Sequence, residues 1–260
     1  MLFVFDLDGV LYRGDKVIKG AKEVIRYLKG KGHRVVYATN NSSLLRDDYV
    51  EKLNKMGFPC DIDDIMSSGY ATSLYLKENS KKGGKVFVIG GKGLKEELSS
   101  CGFKIIRESD NVKRVDYVVV GLDREFTYNK LEKAFDFITY GAKLIATNKD
   151  TTWPGKDKIF PGGGAIVACV EAATNLSAFV IGKPYPYMLK KILSITGFSS
   201  KDTVVVGDRL ETDILFGKSL GTKTVLVLTG VTKLSELKNI TKKHKPDYVL
   251  KSVADLRKIF

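Results

Sequence analysis

The sequence predicts an α/β protein, a parallel-sheet core that is discontinuous in the chain and carries a second α/β unit inserted in its middle. Three observations predict it. Apolar runs of strand length alternate with amphipathic runs of helical period almost throughout, as in a parallel sheet with helices on its faces. A polar, basic, glycine-ended stretch at residues 79–84 separates two such series and reads as a linker. After residue 179 the style of the first series resumes.

In order, an apolar strand at residues 2–6 is followed by an amphipathic helix at 21–31, a strand at 34–39 and a helix at 45–56. A short strand at 65–67 and a helix at 71–78 complete the first series. The second series has strands at 85–89, 117–120 and 144–147, with helices at 94–100 and 128–140. Residues 148–161 show no period and read as a long irregular loop, a feature more often functional than accidental. A helix begins near residue 164. The closing series has strands at 179–181, 204–206 and 224–228, helices at 186–196, 212–220 and 253–259, and a strand at Val249. The expected domains are a core of residues 1–79 and 180–260 and an insert of residues 80–179.

Composition narrows the class. At 260 residues, 43% hydrophobic and 28% charged, the chain reads as an ordinary globular protein able to bury a sizeable core. Cys60, Cys101 and Cys169 form no CxxC pair and suit packed thiols in a reducing compartment. Met1 leads straight into a strand with two aspartates, unlike a signal peptide, and no apolar run approaches the ~18 residues of a membrane span. A cytoplasmic location is expected. The net charge of +13 is spread along the chain without the aromatic interleaving of a nucleic-acid platform, and reads as a solvated basic surface.

The opening run Phe3-Val4-Phe5-Asp6-Leu7-Asp8-Gly9-Val10 carries the strongest chemical signal. Alternate side chains of a strand share a face, so Asp6 and Asp8 emerge together where the strand ends. Three further strands of the expected core end in reactive residues. Residues 35–38 run into Thr39-Asn40-Asn41-Ser42-Ser43, 179–181 into Gly182-Lys183-Pro184, and 204–206 into Gly207-Asp208-Arg209-Leu210-Glu211-Thr212-Asp213. Carboxyl ends of parallel strands lie along one sheet edge, where ligands bind, so these residues are expected to share a cleft. Asp6, Asp8, Asp208 and Asp213 against the single Lys183 would repel, and a divalent cation resolves the excess. An all-oxygen set favours Mg2+. Thr39, Asn40 and Lys183 suit an anion with several acceptor oxygens, and phosphate fits.

The ordered set DxDGV, TNNS, GKP and GDRxxTD resembles the haloacid dehalogenase (HAD) superfamily, whose core is a Rossmann-like parallel sheet. An insertion between the second and third motifs resembles its large-cap subclass IIA. Thr147-Asn148-Lys149-Asp150, Pro161-Gly162-Gly163-Gly164 and Gly182-Lys183-Pro184-Tyr185-Pro186-Tyr187-Met188 resemble the NagD/p-nitrophenylphosphatase branch. The resemblance implies that Asp6 is a nucleophile that becomes an aspartyl phosphate and that Asp8 is the acid and then the base. It implies Mg2+ on the Asp6 carboxylate, the Asp8 main-chain carbonyl and Asp208, with Asp213 close behind. It further implies that Thr39, Asn40 and Asn41 hold the phosphoryl group, that Lys183 offsets charge, and that the 148–161 loop leans over the cleft. Asn148, Asp150 and Trp153 are then expected to shape substrate choice. The expected partner is a small phosphorylated metabolite rather than nucleic acid or membrane, with a homodimer left open.

Bland readings stand beside these. Asp208 and Asp213 also suit a helix N-cap and first-turn acid. Gly90-Gly91-Lys92-Gly93 fails the GxGxxG fingerprint, because Glu96 stands at the third glycine, and reads as an ordinary turn. Gly162-Gly163-Gly164 suits tight packing as well as an anion, Trp153 suits packing in the insert, and His33 and His244 are isolated. Competing functions are a phosphotransferase or phosphomutase with the same intermediate, a dehalogenase, a DxD sugar-nucleotide transferase, and a non-catalytic basic nucleic-acid binder. The set of acids argues against the dehalogenase. Lys183 and GDRxxTD are unexplained by the transferase.

Overall fold

Leu2–Phe5 is apolar at every position and wholly buried, as expected of a strand covered on both faces. The structure, a computed structural model, describes residues 1–80, 83–154 and 158–260. Lys81 and Lys82 of the expected linker, and residues 155–157 of the expected long loop, lie outside the described residues.

The chain opens with β1 (Leu2–Phe5), a small antiparallel flap of β2 (Tyr12–Arg13) and β3 (Lys16–Val17), and α1 (Ala21–Gly30). Helix α1 buries Ala21, Val24, Ile25 and Leu28, the one-sided stripe of an amphipathic helix. Then come β4 (Arg34–Thr39), α2 (Arg46–Lys55), β5 (Ile65–Ser67), α3 (Ser68–Asn79), β6 (Lys85–Ile89), α4 (Lys92–Ser100), β7 (Lys104–Ile106) and β8 (Tyr117–Val120). They are followed by α5 (Tyr128–Thr139), β9 (Lys143–Ala146), β10 (Thr152–Pro154), β11 (Ile159–Pro161), α6 (Gly163–Thr174) and β12 (Phe179–Val180). The chain ends with α7 (Tyr187–Thr196), β13 (Thr203–Gly207), α8 (Leu215–Lys218), β14 (Lys223–Val227) and β15 (Tyr248–Leu250), then a 3-10 turn at Val253–Lys258 where a helix was expected.

Two compact units result: residues 1–39, 46–66 and 183–260, and residues 40–45 and 67–182. The first holds a sheet of order β15-β14-β13-β1-β4-β5. Strand β1 is parallel to both neighbours, β13 and β4. From β1 the chain works outward to β4 and β5, then returns to the other side of β1 for β13, β14 and β15. The reversal falls between β1 and β13, so the crevice beyond their carboxyl ends is a topological switch point.

The second unit has its own parallel sheet, β12-β9-β8-β6-β7, over a core that includes Phe87, Val118, Val120, Phe137, Val167 and Val180. Three expectations change here. Residues 179–181, expected in the core sheet, supply β12, which pairs with β9 through Phe179↔Ile145 and Val180↔Ala146. A three-residue apolar run has no feature that says which sheet it joins. Residues 67–79, expected with the core, belong to the second unit: α3 packs on α4, Tyr75 stacks on Phe179 at 4.7 Å, and the Tyr117 hydroxyl donates to the Asn79 carbonyl at 2.8 Å. The stretch at 148–161 is not irregular throughout, since β10 and β11 pair antiparallel with Trp153 opposite Phe160. Strand β7 and the β2–β3 flap had no sequence signal strong enough to find them. No helix among the described residues is long and apolar enough to cross a membrane.

Candidate active site

The backbone of β1 stays in the ladder as far as Asp6, whose N–H donates to the Val206 carbonyl at 2.9 Å. Beyond it the chain turns. Gly9 has φ +79°, and a Cβ there would stand 2.6 Å from Asp208 Oδ2, so this turn needs glycine on both counts. Next to it, β13 ends at Gly207 and runs through Asp208 into a π-helical turn at Leu210–Ile214. The turn is capped from within: Asp213 Oδ2 accepts the N–H groups of Asp208 at 3.2 Å and Arg209 at 3.1 Å. Asp213 therefore does have the capping role of the bland reading.

Lys183 joins these two strand ends. Its Nζ donates to Asp6 Oδ1 at 2.5 Å, to Asp213 Oδ1 at 2.7 Å and to the Ala38 carbonyl at 3.1 Å, which accounts for an ammonium's three donors. The side chain is 4% exposed. Burial alone would lower its pKa, but the carboxylates of Asp213 and Asp6 outweigh burial and hold it above the usual lysine range. Thr39, at the end of β4, is buried and hydrogen-bonded with the Tyr49 hydroxyl of α2.

Among the described residues, Asp6, Asp208 and Asp213 each offer a carboxylate oxygen within 4.8 Å of the others. Burial pushes Asp6 up to about 7, against the pull of Lys183 and with a further push from Asp213. Burial likewise raises Asp208 to about 8, with Asp213 and Asp6 adding to it and the Val231 N–H opposing. The cluster is thus short of positive charge, and its donors are all oxygen. A hard divalent cation such as Mg2+ fits both features. Asp8 lies outside this cluster and keeps some exposure. Burial raises its pKa too, opposed by the Gly14 N–H and by Lys52, Arg209 and Arg13.

Residues 3–104 match the haloacid dehalogenase-like hydrolase family, and residues 180–256 match a second, HAD-hydrolase-like profile. The acid sugar phosphatase of Staphylococcus aureus is 38% identical over 260 residues, covering 98% of either chain. The chain belongs to the haloacid dehalogenase-like hydrolases. Among solved structures, the p-nitrophenyl phosphatase from Archaeoglobus fulgidus superposes with a TM-score of 0.92 at 33% identity, over 100% of this chain and 98% of that one. The glycerol phosphate phosphatase from Mycobacterium tuberculosis, solved in complex with magnesium, gives a TM-score of 0.89 at 28% identity, over 98% of this chain and 75% of that one.

The remaining residues expected at the site of this HAD-like hydrolase lie in the second unit. Residues 40–45 cross the carboxyl edge of its sheet, where Ser42 Oγ bonds Thr147 Oγ1 at 3.3 Å and a Cβ on Gly93 would stand 2.5 Å from the Ser43 carbonyl. The Gly90–Gly93 run is accordingly a packed strand-to-helix turn. The Asn40 amide donates to both oxygens of Asp150, at 3.0 and 3.2 Å. Its carbonyl accepts from Ser68 Oγ at 2.5 Å and from the Asn148 amide at 2.7 Å. Asn41 Oδ1 accepts from the Ser43 N–H at 2.9 Å and hydroxyl at 2.6 Å. Asn148 and Asp150, expected as specificity residues, are thus holding Asn40. Trp153 stacks on Phe160 at 4.7 Å, as packing would have it.

Sequence reasoning missed the loop after β14. The Val231 N–H donates to Asp208 Oδ2 at 2.6 Å, and the Thr229 hydroxyl to the Gly9 carbonyl at 2.7 Å. The contact made by Val231 is through its backbone, which leaves no residue-type signal, and a lone threonine after a strand is unremarked.

Proposed function

We propose that this chain is a Mg2+-dependent phosphatase that hydrolyses small phosphomonoesters through an aspartyl phosphate on Asp6. The observation that carries the reading is the convergence of Asp6, Asp208 and Asp213 with the buried Lys183 at the β1–β13 switch point. The names of the related phosphatases support the same class of reaction.

Lys183 fixes the Asp6 carboxylate by holding Oδ1 and screens its charge from the incoming phosphoryl group. With all three donors in use, it acts there as a charge held in place. Asp6 attacks phosphorus and the ester oxygen leaves. Asp8, whose raised pKa keeps a proton to higher pH than an ordinary carboxyl, delivers that proton to the leaving alcohol. It then accepts a proton from the water that cleaves the acyl phosphate, releasing inorganic phosphate and restoring Asp6. Thr39 is assigned to the phosphoryl oxygens, and Asn40 and Asn41 share that assignment as neighbours in the motif.

The Asp6 and Asp208 carboxylates and the Asp8 main-chain carbonyl would hold the cation. Asp213 keeps its place close behind the cation, and with one oxygen on two N–H groups and the other on Lys183 it also positions Lys183 and the 208–209 turn. When bound, the cation supplies positive charge to the developing phosphoryl charge. Asn148, Asp150 and Trp153 keep the assignment of substrate choice, which fails if Trp153→Ala leaves the ranking of esters unchanged.

The test is a phosphate-release screen over sugar phosphates, phosphoglycolate, glycerol phosphate, nucleotides and pyridoxal phosphate, with and without Mg2+. Asp6→Asn is expected to abolish turnover with an unchanged circular dichroism spectrum. Near-normal release by that variant would falsify the nucleophile assignment.

A further inference from the structure

We propose that the loop after β14 is a strap that holds Asp208 in register with the Asp6–Gly9 turn, and that Thr229 is a positioning residue for the cation. The proposal rests on the metal reading above and adds to it residues that none of the four motifs contains.

Past their last ladder bonds, the β1 and β13 loops are tied on one side by Lys183, between Asp6 and Asp213, and the loop after β14 ties Asp208 to the Gly9 turn. Strand β14 neighbours β13 and not β1. Its loop nevertheless reaches the β1 turn, passing over the end of β13. On the way it grips Asp208 at both ends. The Val231 N–H donates to Oδ2 at 2.6 Å, and the Thr232 N–H to the Asp208 carbonyl at 3.2 Å. Gly230 lies so close that a Cβ on it would collide with the Asp208 carboxylate, and the Cβ position of Gly9 is 2.9 Å from Gly230 Cα. The far end of the strap is the Thr229 hydroxyl on the Gly9 carbonyl, 2.7 Å. From the flap, Arg13 Nη2 donates to the Gly230 carbonyl at 2.9 Å.

The consequence is chemical. The Val231 N–H on Oδ2 fixes the orientation of the Asp208 carboxylate, and the Thr229 bond sets where that carboxylate stands relative to the Asp6–Gly9 turn. Groups that orient a metal ligand without touching the metal commonly change affinity by about 10–100-fold when removed.

Calorimetric titration of Mg2+ into the full chain without substrate tests this. Thr229→Val keeps the shape and loses the donor, and is expected to weaken Mg2+ binding about tenfold. Thr229→Ser keeps the donor and should bind as the unsubstituted chain does. A threonine that only stabilises the fold would lower Tm in Thr229→Val and leave the Mg2+ isotherm in place. Should that variant not fold, Arg13→Met, at an exposed position and one bond further from Asp208, is expected to weaken binding by a smaller factor than the ~10–100-fold of a group bonded to the ligand itself. Unchanged affinity in the folded variants, or a serine variant as weak as the valine one, overturns the strap. If the unsubstituted chain itself takes up no Mg2+, the metal reading fails and the strap with it, an outcome visible before any variant is made.

Discussion

Asp6 and Asp208 have ordinary carboxyl values of 3.8, which burial lifts to about 7 and about 8. Over the interval between, the folded chain keeps protons that the unfolded chain has released. The linkage slope is then negative, and stability falls as pH rises from about 4 toward 8. Lys183 is charged in both states over this interval and does not alter the sign. A divalent cation favours the ionised carboxylates and competes with those protons. The rise in Tm on adding millimolar Mg2+ is therefore expected to be slight near pH 5 and to widen steadily to about pH 8. A rise that is flat or narrows with pH would contradict the assignment of these carboxylates to the cation. The acids and Lys183 were legible in the chain because aspartates at a strand end, and a lysine fixed between glycine and proline, are conspicuous residue types. Val231, which acts through its N–H, and Ala38, which acts through its carbonyl, have no such mark.

Residues 40–45 show how an element can be legible and its anchorage not. The strand at 34–39 and the polar run after it were expected, yet the run is fastened by side chains more than a hundred residues away. Asn148 and Asp150 hold Asn40 across separations of 108 and 110 residues. Asn148 is 4% exposed and makes a buried bond, so Asn148→Ala leaves the Asn40 carbonyl with Ser68 and should cost about 1–2 kcal/mol. The urea midpoint of the full chain measures this, and an unshifted midpoint would mean that the bond contributes nothing. The same non-locality explains β12. Its residues are apolar either way, and only pairing with β9 assigns them to the second sheet. The β10–β11 hairpin escaped for a different reason: two three-residue strands are shorter than any window in which a period of two can be counted.

A net charge of +13 over 260 residues is of the size that steers anions toward a protein before any specific contact forms, and salt dependence tests whether it does so here. For an anionic phosphate ester, KM is expected to rise severalfold between low salt and about 0.5 M NaCl, as screening shortens to a few ångströms, with kcat little changed. A KM indifferent to salt would confine the excess lysine to solubility. The two units have separate sheets and separate cores, and each sheet reverses its winding at one place. Alternating strand and helix, the reactive strand ends and the charge balance could all be read from the chain, because each depends on neighbours within a few residues. Which sheet a strand joins, which edge a loop crosses and which backbone N–H meets Asp208 were settled only by the fold. Those are contacts between distant segments, made largely by main-chain atoms common to all residues, and no local pattern encodes them.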